Sequence, residues 1–335
     1  MTARVTMRDV ARALGVSPMT VSRALRADRT VSEETRARVR RKADELGYVY
    51  DTTAQAFRTQ RSGFVAVTLP SINNANFAET FASLSRAMEG QGRQVLLGST
   101  NYSAAREEDL VRQLLARNPE ALVLTGGHHT AEARALLRGR GLPVVEMWTL
   151  PERPLGHAVG FSNAEAMGRV VRHVVQTGRR RLAYLGTSGD TDVRGAERKA
   201  GVLRAAAELD LPHVVQLDAG PAPVSMAQGD AAVAGLGRAV AQFDALLCVS
   251  DPVAFGALSA CQRLGLSVPD DLAITGFGAF DVAAVSCPRL TTVTVHAHKI
   301  GQQVAEILHD ILDGHGGHGL RQVDVGTALV VGETT

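Results

Sequence analysis

The residues able to do chemistry stand at the ends of short apolar runs. Ser71, Asn73, Asn74, Asn76 and Phe77 follow the run 64–69. Asn101 and Tyr102 follow 95–98, and Gly126, Gly127, His128 and His129 follow 121–124. Glu146 and Trp148 end the run 144–147, and Phe161, Ser162 and Asn163 follow 158–160. Asp192, Arg194 and Arg198 come after 182–185, Ser250 and Asp251 after 245–249, and Phe277, Gly278 and Phe280 after 273–276. Brought together, such groups suit a polyol or a sugar acid. Hydroxyls and amides pair with its hydroxyls, aromatic rings cover its carbon chain, and a guanidinium meets its carboxylate.

The elements that must position these residues are readable from periodicity. The runs alternate with helical apolar patterns at 77–91, 105–117, 163–176, 194–208 and 253–264, and further short runs lie at 214–217, 292–295 and 329–331. Such alternation predicts parallel sheets covered on both faces, with ligands taken at the C-terminal ends of the strands. There are too many units for one sheet, so the expected body is two doubly wound α/β subdomains facing each other across a cleft.

A different chemistry occupies the N-terminal stretch Met7–Arg23. Val10, Ala11 and Leu14 share one face of a short helix, which Gly15 ends by taking the left-handed conformation. Ser17 is placed to cap the next helix and Pro18 to start it. Val21 and Leu25 turn inward, leaving Met19, Thr20, Ser22 and Arg23 outward. This is a helix-turn-helix, which lays its second helix in the major groove of DNA. Arg23 is the expected base reader, and Met19 offers apolar contact to a thymine methyl. Ser32 caps a third helix with the stripe Val39, Ala43 and Leu46, ended by Gly47. Arg36, Arg38, Arg40, Arg41 and Lys42 are candidates to meet phosphates.

Asp9-Val10-Ala11, Gly15-Val16-Ser17, Thr20-Val21-Ser22-Arg23, Val31-Ser32 and Glu45-Leu46-Gly47-Tyr48 together resemble the headpiece of LacI-family transcriptional regulators. With the α/β body, the resemblance covers essentially the whole chain. It implies a headpiece at 1–48, a hinge at 49–61 and a periplasmic-binding-protein-like ligand-binding and dimerisation core at 62–335. The core would divide into an N-terminal subdomain (about 62–162 and 294–322) and a C-terminal one (about 163–293 and 323–335), with crossovers near Ser162, Thr292–Val295 and Gln322. The DNA-facing set would be Thr6, Ser17, Pro18, Met19, Thr20, Ser22, Arg23 and Arg26, joined in the hinge by Ala54, Phe57 and Arg58. Phe57 would be the minor-groove wedge, while Asp51 stands where the family usually has Asn.

In the cleft, Arg198 matches the arginine that grips the effector in many members. Asp251 matches an aspartate that contacts sugar hydroxyls, with a cap on the helix starting at Pro252 as the alternative. Gly278 replaces a frequent aspartate, which removes repulsion against an anion. Glu146-Met147-Trp148, residues 159–163 and 261–266, Gly276-Phe277-Gly278 and Pro18-Met19-Thr20 resemble the branch that includes the gluconate-utilisation repressor. That implies gluconate or a close aldonate, with keto-sugar acids and neutral sugars as alternatives, and release from DNA or co-repression as the two possible responses. The cleft candidates are Ser71, Asn74, Phe77, Tyr102, Glu146, Trp148, Phe161, Asn163, Arg194, Arg198, Ser250, Asp251 and Phe277. Trp148 is either a stacking platform or packing.

Charge distribution agrees with this division. Residues 1–61 hold 13 Lys and Arg against 7 Asp and Glu, and the remainder 23 against 27. A basic head on a mildly acidic body fits a nucleic-acid module joined to something else. The three cysteines have no metal-type spacing and read as free thiols. His128-His129 reads as loop or rim, and His309, His315 and His318 as surface. No leader-like segment and no bilayer-length apolar run is present, so a cytoplasmic protein is expected. A Gly-rich phosphate loop, HExxH and GxSxG are all missing from the sequence, which argues against an enzyme, and no cofactor is expected. A lone solute-binding protein would lack the DNA head. The expected partners are operator DNA, a small effector and a second copy of the chain. No long heptad tail follows Val331, which favours a dimer over a tetramer.

Overall fold

A computed structural model describes residues 5–26, 28, 30–50, 62–189, 191–314 and 319–335. Two units emerge, Met1–Ser62 and Gly63–Thr335. The hinge candidates Asp51, Ala54, Phe57 and Arg58 lie outside the described residues, as do His315 and His318.

In the first unit the described helices are α1 (Met7–Leu14), α2 (Pro18–Leu25) and α3 (Glu33–Leu46). The local chemistry acts as its residue types dictate. Gly15 ends α1 at φ 66°, the Ser17 side chain accepts from Thr20 N–H, Pro18 opens α2, and Ser32 caps α3 through Thr35 N–H. Val10, Ala11, Val21, Ala24, Val39 and Ala43 form the core. Leu46 is a correction to the expected stripe. It is exposed, and after the turn at Gly47 it is Tyr48 that packs on the core.

The second unit begins with a six-stranded sheet. In chain order its elements are β1 (Phe64–Leu69), α4 (Ala75–Gly90), β2 (Gln94–Ser99), α5 (Ala104–Leu115), β3 (Leu122–Thr125), α6 (Ala131–Arg140), β4 (Val144–Met147) and β5 (His157–Gly160). Next come α7 (Asn163–Gln176), β6 (Leu182–Ser188), α8 (Val193–Glu208), β7 (Val215–Pro221), α9 (Met226–Leu236), β8 (Ala245–Cys248), α10 (Asp251–Arg263) and β9 (Ala273–Thr275). The chain closes with α11 (Asp281–Val285), β10 (Thr292–Thr294), α12 (Ala297–Leu312), β11 (Gln322–Asp324) and β12 (Ala328–Val330). One sheet has the order β11-β5-β4-β3-β1-β2 and the other β7-β6-β8-β9, and every pairing in them is parallel. β10 and β12 pair antiparallel beside the second sheet.

The chain passes between the two sheets after β5, between β10 and α12, and again between β11 and β12. β11 extends the six-stranded sheet through residues 322–324. The strand cores are nearly continuous apolar runs, as sheets buried on both faces require. Among the described residues no helix is long and apolar enough to cross a membrane, and no group of His, Cys, Asp or Glu could hold a metal ion.

Glycines let three helix pairs approach closely. A Cβ at Gly201 of α8 would lie 2.1 Å from the Ala164 carbonyl oxygen of α7, and one at Gly256 of α10 would lie 1.9 Å from the Met226 oxygen of α9. Gly301 of α12 sits in the same way on Thr80 of α4. Gly201→Ala must push α8 off α7, and α8 carries Arg194 and Arg198. Overpacking of this kind costs roughly 1–3 kcal/mol or more, so chemical denaturation of this variant should show a lowered midpoint together with weakened ligand binding.

A buried ion network ties the strand ends of the first sheet. His129, fully shielded, places Nδ1 2.6 Å from Glu107 and Nε2 3.2 Å from Glu146. Burial lowers its pKa, but the hydrogen bonds it donates to both carboxylates, and their charge, outweigh that and raise it to about 9. His129 lies in the loop after β3, one of the two expected positions, but its shielded side chain is a structural cation and not part of a rim. Because its folded-state pKa is raised, its contribution is complete below the ordinary value of 6.5 and is lost as pH rises through 9. The unfolding free energy should fall by about 3 kcal/mol over that window. In His129→Gln, which strands two buried carboxylates, this pH-dependent loss should disappear and stability at pH 6 should be lower.

Candidate ligand cavity and nucleic-acid interface

In the six-stranded sheet the chain reverses its strand order between β1 and β3, and in the four-stranded sheet between β6 and β8. A crevice opens at the C-terminal ends of strands where such a reversal occurs. The two crevices face each other and enclose a cavity of about 400 Å³.

One wall brings Ser71, Asn74 and Phe77 from the turn after β1, Tyr102 from the turn after β2, and Trp148 from the end of β4. The other brings Arg194 and Arg198 from the first turns of α8, Ser250 after β8 and Phe277 after β9. Asn74 is also the cap of α4, its Oδ1 accepting from the N–H groups of Asn76 and Phe77. Asn76 Nδ2 donates to the Gly278 carbonyl at 2.9 Å, a hydrogen bond from one wall to the other.

Aromatic rings form the floor. Phe77 and Trp148 meet edge to face at 5.0 Å, Trp148 and Phe161 at 6.0 Å, and Phe161 lies 6.3 Å from Phe277. The cations lie on these rings. The Arg194 guanidinium sits over Phe77 at 5.1 Å and Tyr102 at 5.8 Å, and that of Arg198 over Phe277 at 4.6 Å. Arg198 Nη1 donates to Asn163 Oδ1 at 3.3 Å, and its Nη2 is a loose 3.8 Å from Asp192. Asp192 is the sole carboxylate among the described lining residues, and it also caps α8 through Gly195 N–H. Two guanidinium groups thus face one carboxylate. Arg198 Nε and Trp148 Nε1 are buried donors with no partner. Tyr102 (φ 59°) and Trp148 (φ 76°) hold left-handed backbones, a strain that gathers at functional sites.

Four expected cleft residues do not line this cavity. Glu146 is fully buried, accepting from Leu155 N–H and pairing with His129. Asp251 is fully buried as well, and it accepts from Thr292 Oγ1 at 2.6 Å and Phe280 N–H at 2.8 Å. Burial pushes its carboxyl up to about 6 against those hydrogen bonds. Asp251 is the first residue of α10, with Ser250 at the cap position, so neither expected role holds; it anchors the loop 277–280. Phe161 packs beneath Trp148 and Phe277. Asn163, also buried, donates to Glu197 and orients Arg198 from behind. Conversely, Pro223, Val224, Ser225 and Met226 line the cavity unforeseen. β7 runs to Pro221, past the expected end at 217, and a longer strand would have pointed to them as strand-end residues.

On the headpiece, Pro18, Met19 and Arg23 are exposed on α2, with Met19 61% accessible. Ser17 and Thr20 are occupied by capping, Ser22 Oγ lies 3.4 Å from Tyr50 Oη, and Arg26 Nε bonds back to the Ser22 carbonyl. Thr6 donates from both its N–H and Oγ1 to the Asp9 carboxylate. Arg38, Arg40 and Arg41 are exposed, whereas Arg36 pairs with Glu33 and bonds the Asp28 and Val31 carbonyls.

Residues 6–51 match the family model of bacterial regulatory proteins of the lacI family, and residues 171–335 that of the periplasmic binding protein-like domain. The chain is 37% identical over 320 residues to the HTH-type transcriptional regulator GntR of Pseudomonas aeruginosa, covering 93% of this chain and 91% of that protein. It is 33% identical over 306 residues to GntR of Escherichia coli, covering 91% of each. A solved LacI-family regulator from Silicibacter pomeroyi superposes with a TM-score of 0.92 at 29% identity, covering 98% of this chain and 99% of that one. GntR from Chromobacterium violaceum superposes at 0.75 and 33%, covering 81% and 98%. The relatives are regulators and not enzymes, and this chain belongs to the LacI family of DNA-binding transcriptional regulators.

Proposed function

We propose that this regulator represses carbohydrate-catabolism genes from the cytoplasm as a homodimer on a pseudo-palindromic operator, and that a small sugar acid of the gluconate class releases it. The observation that carries the ligand class is the charge balance of the cavity, two arginines against the single carboxylate of Asp192. A neutral sugar would leave that excess unmatched. An aldonate supplies one carboxylate for a guanidinium and hydroxyls for Asn74, Ser71 and Ser250. The GntR names of the relatives support the same class.

The ligand joins groups of both walls, so it favours the arrangement in which they are close. It can shift the equilibrium only by its differential affinity for the two arrangements, roughly 10⁴-fold for a complete switch. One headpiece offers too little contact for specific binding, which is the argument for two copies on two half-sites. Arg23 is the base reader in this reading and Met19 an apolar contact, with Arg38, Arg40 and Arg41 at phosphates.

Mobility shift on the palindrome nearest the chain's own gene tests the mechanism. Gluconate should release the complex and glucose should not. Tightening by gluconate would make the ligand a co-repressor, and indifference to it would remove the ligand class. Arg198→Met should weaken gluconate binding by about a hundredfold, the loss of a charge-assisted pair, while leaving operator affinity intact. Arg23→Ala should cost roughly 1–3 kcal/mol on the operator and relax preference at one base pair per half-site. An equal loss on random DNA would assign Arg23 to phosphate contact.

A further inference from the structure

We propose that Arg93 is a positioning residue for operator control: it fixes the point where the chain leaves the core toward the headpiece, and it ties that point to the two helices that run from the cavity. Gly63 and Glu120 stand just before β1 and β3. Both therefore lie at the N-terminal edge of the first sheet, opposite the strand ends that form the cavity. From Gly63 the chain runs back through residues 49–61 to the headpiece.

Gly63 is held on both sides. Its N–H donates to Glu120 Oε1 at 2.8 Å, and its carbonyl accepts from Gln94 N–H at 2.8 Å. Its φ of 76° is a turn that glycine takes without steric cost. Glu120 is held in turn by Arg93, whose Nε donates to Glu120 Oε2 at 3.1 Å. The rest of the same guanidinium grips Asp313, Nη2 donating to Oδ1 at 2.7 Å and Nη1 to Oδ2 at 3.3 Å, and Nη1 also meets Gln91 Oε1 at 3.3 Å. His309 Nδ1 lies 2.8 Å from the Asp313 carboxylate as well. The Arg93 and Glu120 side chains are 6% and 8% exposed. A buried ion pair adds little net stability, because desolvation offsets the attraction. What the planar fork of an arginine does supply is fixed geometry.

Arg93 follows the turn that ends α4, and Asp313 is the residue at which α12 ends. At their other ends these helices are locked together beside the cavity. Thr80 Oγ1 of α4 donates to the Ala297 carbonyl at 2.9 Å, and Ser83 Oγ to the His298 carbonyl at 3.0 Å. α4 carries Phe77 of the cavity floor and Asn76, which reaches the opposite wall, while α12 follows Val295 of the cavity lining. Each helix has 16 residues and so spans about 24 Å. A stiff pair displaced at the cavity displaces its far end, where one guanidinium joins it to Gly63 through Glu120. Coupling over such a distance is carried by packed elements and directed bonds of this kind. The identity of the effector rests on the sugar-acid reading, whereas the fixing of the exit does not.

A neighbouring ion pair supplies the control. Asp310 of α12 pairs with Arg321 at 2.8 Å and ties the same helix end to the start of β11 instead. Full-chain Arg93→Met, Asp313→Asn and Asp310→Asn are compared with wild type by mobility shift on operator and random DNA, with and without gluconate, by calorimetry with gluconate, and by chemical denaturation. Without effector, Arg93→Met should lose about tenfold and Asp313→Asn about threefold in affinity for operator relative to random DNA, and the factor by which gluconate releases the operator should shrink in the same order. Gluconate affinity should stay within about twofold of wild type, and Asp310→Asn should match wild type throughout. Arg93→Met strands the buried Glu120 carboxylate and costs stability. Asp313→Asn keeps side-chain size at a partly exposed site and should unfold near the wild-type midpoint, so it carries the decision. A loosened core would weaken gluconate binding along with DNA binding; a positioning role separates the two. Operator selectivity unchanged in Arg93→Met and Asp313→Asn, lowered equally in Asp310→Asn, or lost together with gluconate affinity overturns the proposal. If gluconate has no effect on wild type while selectivity falls in Arg93→Met and Asp313→Asn but not in Asp310→Asn, the sugar-acid reading fails and the role of Arg93 stands.

Discussion

Holding two guanidinium groups in one cavity against a single carboxylate is the constraint on which the rest of the core depends. Like charges at close range repel, and burial strips the water that would screen them. The molecule answers with ring faces. Arg194 lies on Phe77 and Tyr102 and Arg198 on Phe277, each contact worth roughly 0.5–2 kcal/mol. A ring face stabilises a guanidinium without occupying its N–H groups. The ring contacts therefore leave N–H groups free for other partners, as the Arg198 Nη1 bond to Asn163 shows. The rings must then be held. Trp148 is wedged between Phe77 and Phe161 with its backbone at φ 76°, a conformation that a tryptophan keeps only when its surroundings impose it.

The same architecture sets what a ligand can do. Asn76 and the Gly278 carbonyl already join the two walls, so the arrangement with the walls together has support before any ligand arrives. A ligand that bridges Arg198 on one side and Asn74 or Ser71 on the other adds to that arrangement selectively, and selectivity between arrangements is the only quantity that moves an equilibrium. Tight binding to one wall alone would change nothing. In the proposed mechanism the placement of charge on one wall and of amides on the other would therefore serve the switch as well as recognition.

Much of this was legible in the sequence because parallel strands buried on both faces must be apolar. Runs such as Val144–Met147 announce themselves, and Gly15, Ser17 and Pro18 fix the headpiece by local backbone chemistry alone. β11 was not legible as a strand. It is a three-residue edge of alternating polarity, Gln322-Val323-Asp324, supported by pairing to β5 more than 160 positions away. Glu146 and Asp251 were misjudged for a related reason. A carboxylate at a strand end looks like a ligand contact, but their partners, His129 and Leu155 for one and Thr292 and Phe280 for the other, are joined to them only by the fold. Arg198 and Phe277 could be assigned to the cavity from strand-end position and family resemblance, whereas the orienting role of Asn163 needed the geometry.

Gly278 shows how backbone and charge are coupled here. From the sequence, its meaning was the lack of a carboxylate. In the structure it sits at φ 119°, where a Cβ would lie 2.4 Å from the Phe280 ring and 2.9 Å from Asn76 Nδ2. An aspartate could enter only by displacing that ring and the amide that joins the walls. Phe280 in turn is fixed by the hydrogen bond from its N–H to the buried Asp251. The positive balance of the cavity is thus not the result of a single missing side chain. It follows also from a loop conformation that Asp251 anchors from below and that excludes a side chain at residue 278, so placing a carboxylate there would require remaking the loop as well as changing a charge.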